Sequence, residues 1–349
     1  MQSKSALLFD APPHPCYHFT MATKQQPIEE KLALVNMLVH KPLDDDTVRG
    51  LRAVLNDASN LVVARAAEII AEREVDALLP ELIALFNRLA THRQPAVVDK
   101  ICRAKQAIIL ALDALQNIDI DPYLLGLRMV QMEPVYGGKE DTATGVRAAC
   151  ATALSRLHYH ELALVLAPLL FDPEVEPRLA VVKALKYAGG ETAEVALRVK
   201  VHAGDTAPEV IVEAFIALLD IFPERELPFV SACLHGADRA RTEQAALALG
   251  AARLPESFAI LQKFWASNTD LELRKPLLLS LALTHTDAAF AYLLNIVKDD
   301  ALTTAHHALD AIAIIYGPDK PRREQLFAVV KARKNARLAD ALAGYFPLG

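Results

Sequence analysis

Asp141–Leu154 reads DTATGVRAACATAL and Asp172–Leu185 reads DPEVEPRLAVVKAL. Each opens with an Asp, runs through a few polar residues, and continues as an Ala/Leu-rich helix. Weaker copies start at Asp205 (DTAPEVIVEAFIAL), Asp238 (DRARTEQAALALG), Asp270 (DLELRKPLLLSLA) and Asp300 (DALTTAHHALDAI), so the marker Asp advances by 31, 33, 33, 32 and 30 residues. A fixed period in this range is the mark of a solenoid, in which each helical unit buries its apolar face only against its neighbours.

The 349 residues would otherwise suggest two or three domains, a prior that a repeat array evades because no single core has to grow with length. The composition agrees with an all-α chain: 53% hydrophobic, 13 Gly, and few of the alternating β-branched runs that strands need. The expected architecture is an α-α superhelix of about eight helical pairs with capping helices. A cap is expected from Pro27 to about His40, with Glu29 and Glu30 beside the positive helix end. The pairs are expected at 46–55 with 59–72, 76–91 with 95–117, 121–132 with 142–157, 160–170 with 174–188, 191–203 with 206–221, 223–235 with 238–252, 255–267 with 270–284, and 287–298 with 300–316. A lone helix from Pro321 to about Lys334 closes the array, leaving 335–349 as a C-terminal tail. Residues 1–26 read as a disordered or misassigned N-terminal tail, with Met21 as the expected start of translation. Each marker Asp is expected to N-cap its helix by accepting from first-turn N–H groups, a contribution of about 1 kcal/mol.

The Asp followed five and six residues later by Val-Arg, then Ala/Leu at helical spacing, resembles the HEAT repeat and its bacterial relatives, including the HEAT-like repeats of phycobilisome bilin lyases. Asp141 with Val146-Arg147 matches fully; Asp172 keeps Arg178 behind Pro177; Val62-Val63-Ala64-Arg65 is a looser copy. At later copies the Arg position holds Ile211, Gln244, Pro276 and His306, so an Asp–Arg ladder is expected to break in the C-terminal half. The resemblance implies that the second helix of each pair lines the concave face, here with sparse charges such as Lys183, Lys186, Glu213 and Asp310. HEAT-type deoxyhypusine hydroxylases carry several His-Glu dipeptides for a di-iron centre, whereas this chain has only His160-Glu161. HEAT-type alkylpurine glycosylases use a basic concave groove, which this pattern does not supply.

The rhythm has one long interruption, QMEPVYGGKEDTATG from Gln131, expected as a loop that presents Tyr136 and Lys139. Its Gly-Gly-Lys lacks the spacing and the Ser/Thr of a phosphate loop. His158-Tyr159-His160-Glu161 offers metal-capable atoms, but residues two apart share no helical face, and solvent or structural roles are favoured. His14-Pro15-Cys16-Tyr17-His18 lies in the tail, and at most one of His306-His307 faces inward. The C-terminal cluster Lys320, Arg322, Arg323, Lys331, Arg333, Lys334 and Arg337 suits the polar outer face of a terminal cap.

Net charge is −6, which provides no global field for phosphates, so nucleic acid is disfavoured as the main partner. The four scattered cysteines fit a reducing cytoplasm, and no apolar run approaches the roughly 18 residues of a membrane span. The sequence calls for no cofactor and no metal, and it sets no oligomeric state. The expected function is a non-catalytic, cytoplasmic scaffold binding a protein or peptide, with Tyr136, Lys139, Lys183 and Glu213 as contact residues and residues 133–186 as its centre. The alternative is a HEAT-like lyase or accessory protein handling a chromophore or prosthetic group; a third reading is nucleic-acid binding through the basic C-terminal helix.

Overall fold

The computed structural model describes residues 27–346 and divides them into two compact units, 27–117 with 131–142, and 118–130 with 143–346. The expected tail 1–26, the Met21 start and the His14–His18 cluster lie outside the described residues.

The first unit contains α1 (Ile28–Met37), α2 (Asp45–Val54), α3 (Asn60–Glu72), α4 (Leu79–Ala90), α5 (Pro95–Val98), α6 (Arg103–Ala114) and an antiparallel hairpin of β1 (Met132–Val135) and β2 (Gly138–Asp141). The Asp44 carboxylate caps α2 by accepting from Thr47 N at 2.8 Å, and prolines enter the first turns of α4 and α5. Helix α3 packs on α6 through buried Ala64, Ala66, Ala67, Ala107 and Ala111, which let the backbones approach; Ile69, Ile70, Leu82, Phe86, Ile108 and Leu112 fill the interior. Each large aliphatic side chain so buried contributes about 1.5–3 kcal/mol.

Two expectations fail in this unit. The helix expected over 95–117 is broken: Ile101 (φ 53°) and Cys102 (φ 51°) are left-handed, and α6 starts afresh at Arg103. The cause is Asp99, whose carboxylate accepts from Ala104 N at 2.9 Å and Lys105 N at 3.0 Å. The chain must double back to bring those N–H groups onto it, and the two left-handed residues are the consequence. The loop expected from Gln131 is the hairpin, paired Met132 to Asp141 and Val135 to Gly138 across a two-residue turn in which Gly137 (φ 89°) supplies the left-handed backbone.

The second unit holds α7 (Asp121–Gly126), α8 (Thr144–Arg156), α9 (Leu162–Leu166), α10 (Val175–Ala188), α11 (Gly190–Ala203), α12 (Pro208–Ile221), α13 (Pro223–Cys233), α14 (Arg239–Ala252), α15 (Ser257–Ser267), α16 (Arg274–Leu283), α17 (Asp287–Asp299), α18 (Leu302–Tyr316), α19 (Lys320–Arg333) and α20 (Ala336–Tyr345). The even-numbered second helices stack on one another from α8 to α20, and each odd-numbered helix leans on its partner. Small residues set the spacing of the stack: a Cβ added at Gly250 on α14 would lie 2.2 Å from the Ser280 carbonyl oxygen on α16. The fold is all-α and HEAT-like, with one short hairpin among the described residues.

The C-terminal stretch set apart as a tail from 335 is a helix instead. Asn335 caps α20 by accepting from Leu338 N at 3.2 Å, and Leu338 and Leu342 are buried as α20 packs on α18. The helix expected to close the array is thus the first member of a further pair. Helix α7 ends at Gly126 rather than 132, because Met132 onward is spent on the hairpin.

The marker Asp does not act as expected at most copies. Only Asp238 among the six N-caps its helix, accepting from Arg241 N at 3.3 Å. Asp172, Asp205 and Asp270 stand further ahead and accept from the N–H two residues on, that of Glu174 (2.9 Å), Ala207 (2.8 Å) and Glu272 (3.0 Å). This Asx turn bends the chain into the helix. The same carboxylates take a cation from the preceding repeat: Arg147–Asp172 at 2.8 Å, Arg178–Asp205 at 2.8 Å and Arg239–Asp270 at 2.8 Å. Asp57 repeats the device ahead of α3, accepting from Ser59 N and pairing with Lys31, both at 2.8 Å. The ladder therefore continues beyond its expected break at one step, Arg239–Asp270, reached from a different helical position.

Candidate interaction site

The hairpin stem is bolted to the first unit by a buried polar network. Glu133 Oε1 accepts from Ile101 N at 2.6 Å, Gln131 Nε2 at 2.7 Å and Thr142 Oγ1 at 2.8 Å. Gln131 Nε2 also donates to the Asp99 carbonyl (2.8 Å), and Gln131 Oε1 accepts from Lys105 Nζ (2.8 Å). Lys105 lies 3.1 Å from Asp99 Oδ2, both side chains fully buried. Asn60 Nδ2 donates to Asp99 Oδ1 at 3.0 Å, tying α3 into the same cluster. Burial alone would raise the Glu133 carboxyl, but its donors from Gln131, Thr142 and Ile101 hold it below its ordinary value. Burial pushes the Cys102 thiol, beside Thr142, up to about 11. Such a network, with every member partnered, makes the stem a rigid mount.

What it mounts is apolar and exposed. Tyr136 at the turn is 108% exposed, and Met132 and Val135 are about half exposed beside it, as is Ile101, whose N–H is held by Glu133. Lys139 is exposed on β2 opposite Pro134. Tyr136 and Lys139 thus share one element. Lys183 (exposed) and Glu213 (half-buried) occupy the neighbouring stacked helices α10 and α12, where Lys186 reaches to 3.9 Å from Asp220. Asp310, expected as an open charge on this row, is buried on α18, accepting from Tyr345 OH at 3.2 Å and standing 3.5 Å from His306 Nδ1.

Two clefts open beside the stacked helices. One, of about 460 Å³ in the first unit, lies between α3 and α6 over Ala71, Ala107 and Ala111, with Leu110, Glu68 and Glu72 at its rim. The other, of about 430 Å³ in the second unit, is bounded by His158, Tyr159, His160, Glu161, Gly189 and Thr192. There Tyr159 OH donates to Glu161 Oε2 at 3.0 Å, His160 Nε2 is 4.0 Å from Glu161 Oε1, and the His158 ring stacks on Tyr187. Among the described residues no group of three or more His, Cys, Asp or Glu is placed to hold a metal ion.

The basic C-terminal helix spends much of its charge internally. Arg322 pairs with Asp287 at 2.5 Å and covers the Tyr316 ring, Arg323 donates to the Gly317 carbonyl at 3.2 Å, and Arg333 donates to the carbonyls of Val297 and Asp300. These guanidiniums fasten α19 to its neighbours.

The Asp99 network escapes the 30-to-33-residue period, yet it carries a legible trace. Asp99 followed six residues on by Lys105 repeats the spacing of Asp141 with Arg147 and Asp172 with Arg178, a Lys for the Arg. Nothing at sequence level pointed to the roles of Gln131 and Glu133, whose partners Asp99, Ile101 and Lys105 lie 26 to 32 residues away.

No protein-family model matches the chain, and no curated protein matches it. Among solved structures, human deoxyhypusine hydroxylase in complex with glycerol is similar at 19% identity and a TM-score of 0.28, over 75% of this chain and 92% of that one. The complex of CpcE and CpcF of phycocyanin lyase from Nostoc sp. PCC7120 is similar at 16% identity and a TM-score of 0.32, over 84% of this chain and 98% of that one. Both are HEAT-like helical repeat proteins. Likeness of this degree carries no statement about activity or partners.

Proposed function

We propose that the chain is a non-catalytic interaction scaffold that binds a protein or peptide, with the hairpin tip of the first unit as its contact element. The observation that carries this reading is Tyr136, a fully exposed aromatic on a stem held rigid by the Glu133 network. An aromatic anchor presented without ordering cost is what a binding surface needs, since rigid side chains lose little entropy on association. Lys139 shares the hairpin with that anchor; on the second unit, taken by itself, Lys183 and Glu213 supply charge on α10 and α12, a surface that an amphipathic segment could meet separately.

The test is affinity purification of the full chain from native lysate beside the Tyr136→Ala and Lys139→Glu variants. A protein recovered in stoichiometric amount with the parent chain, and reduced at least tenfold with either variant, is the expected result. Co-purification of a chromophore, another small molecule or nucleic acid, with no protein enriched, would overturn the reading. No helix among the described residues is long and apolar enough to cross a membrane.

A further inference from the structure

The joint between α11 and α13 contains two carboxyl groups that compete for the same cation. Glu226 on α13 is 0% exposed; its Oε1 accepts from Arg198 Nε at 3.0 Å and Nη2 at 2.9 Å. Glu194 on α11, also buried, places Oε1 3.8 Å from the same Arg198 Nε and accepts from Arg225 with Oε2. Arg225 is shared in turn with the exposed Glu191, at 3.7 Å. Glu226 Oε2 is buried with no N–H or O–H donor to satisfy it among the described residues, and the Glu194 carboxyl approaches the same Arg198 that Glu226 holds. Two carboxylates cannot hydrogen-bond to each other, because neither has a donor. A proton on one of them supplies the missing donor and removes the like-charge repulsion between two buried carboxyls.

We propose that Glu194 and Glu226 share one proton, and that its loss to solvent loosens α13 from α11, making this joint a pH-sensitive hinge in the row of first helices. The groups facing the pair are Glu191, Arg198 and Arg225. Helices α11 and α13 and the elements packed against them also carry Arg178 and Lys200 on Asp205, Lys186 toward Asp220, Arg239 on Asp270, exposed Lys183, Glu209 and Glu224, and half-buried Glu213 on α12 and Glu243 on α14. Burial, the Glu194 contact and then the opposing Arg198 act on Glu226, with a net rise above the ordinary carboxylate range. A carboxyl raised in the folded state contributes stability that is complete below its unfolded pKa and is lost as pH rises through the folded value.

The experiment is a pH titration of the full chain and its Glu226→Gln variant, read by the infrared carbonyl band of protonated carboxylic acid and by Tm. Gln at 226 keeps an acceptor for Arg198 and offers an amide donor to Glu194 without a titrating proton. The wild type should retain a protonated-acid band above the pH at which exposed carboxylates have ionised, then lose that band together with a few degrees of Tm. Glu226→Gln should lack the band and hold its Tm over the same interval, and at the upper pH its α13 amides should exchange more slowly than those of the wild type. Should Glu226→Gln fail to fold, Glu194→Gln provides the same comparison. No protonated-acid band in the wild type above the ordinary range, or wild-type and variant profiles that coincide, would overturn the proposal.

Discussion

Gly250 shows how much a single position decides. A methyl group there would meet the Ser280 carbonyl at 2.2 Å, so Gly250→Ala forces α14 and α16 apart. Ala ordinarily stabilises a helix interior by about 0.5–1 kcal/mol relative to Gly; here overpacking of about 1–3 kcal/mol should outweigh it, seen as a lower denaturation midpoint. Glu133 is the matching case for polar groups. Glu133→Ala leaves the Ile101 N–H and a Gln131 N–H without their acceptor, at about 1–3 kcal/mol for each group that stays buried. The Ile101 amide should then exchange with solvent much faster, while amides in α14 to α18 keep their protection. The marker Asp is readable at each copy as an N-cap, which Asp238 is, whereas Asp172, Asp205 and Asp270 form Asx turns instead. An N-cap and an Asx turn call for the same residue type near a helix start, and only the backbone distinguishes them.

At the scale of elements, the Asp–Arg ladder joins repeats with unequal strength. Arg178 and Asp205 are buried and bidentate, at 2.8 Å on both contacts, with Lys200 at 2.7 Å from the same carboxylate. Arg239 and Asp270 make a similar distance in the open. Arg178→Ala removes a bidentate contact from a buried carboxylate that Lys200 and the Ala207 N–H still hold, so it should lose about 1.5–3 kcal/mol, against less than about 1 kcal/mol for Arg239→Ala. Chemical denaturation of both variants separates the cases. Burial would raise the Asp205 carboxyl, but Lys200, the Ala207 N–H and Arg178 hold it below its ordinary value. That stability is present above the unfolded carboxyl pKa and is lost as pH falls through the folded one, so Asp205→Asn should flatten the acid limb of the stability profile. Helices α10 to α19 of the second unit were legible because apolar periodicity over ten or more residues is dominated by local burial, whereas α20 was set apart as a tail and α7 is shorter than expected. The break at Ile101-Cys102 and the hairpin at 132–141 were not legible: the first turns on which nearby N–H groups Asp99 captures, and the second on the contact of Glu133 with the distant Ile101, and neither leaves a periodic trace.

At the scale of the molecule, a repeat protein concentrates vulnerability at its ends, where a helix face lacks a neighbour. Helix α20 covers α18 with Leu338 and Leu342, so truncation after residue 334 should expose that face, lower Tm and increase binding of a hydrophobic dye. The binding role rests on one element above all. Replacing Tyr136 with a photo-crosslinking phenylalanine analogue in living cells, with the same analogue at exposed Leu271 on the second unit as a control, tests it most directly. A discrete crosslinked protein from position 136 and none from position 271 is the predicted result; no protein adduct at position 136, under conditions where the chain is folded and expressed, would contradict it.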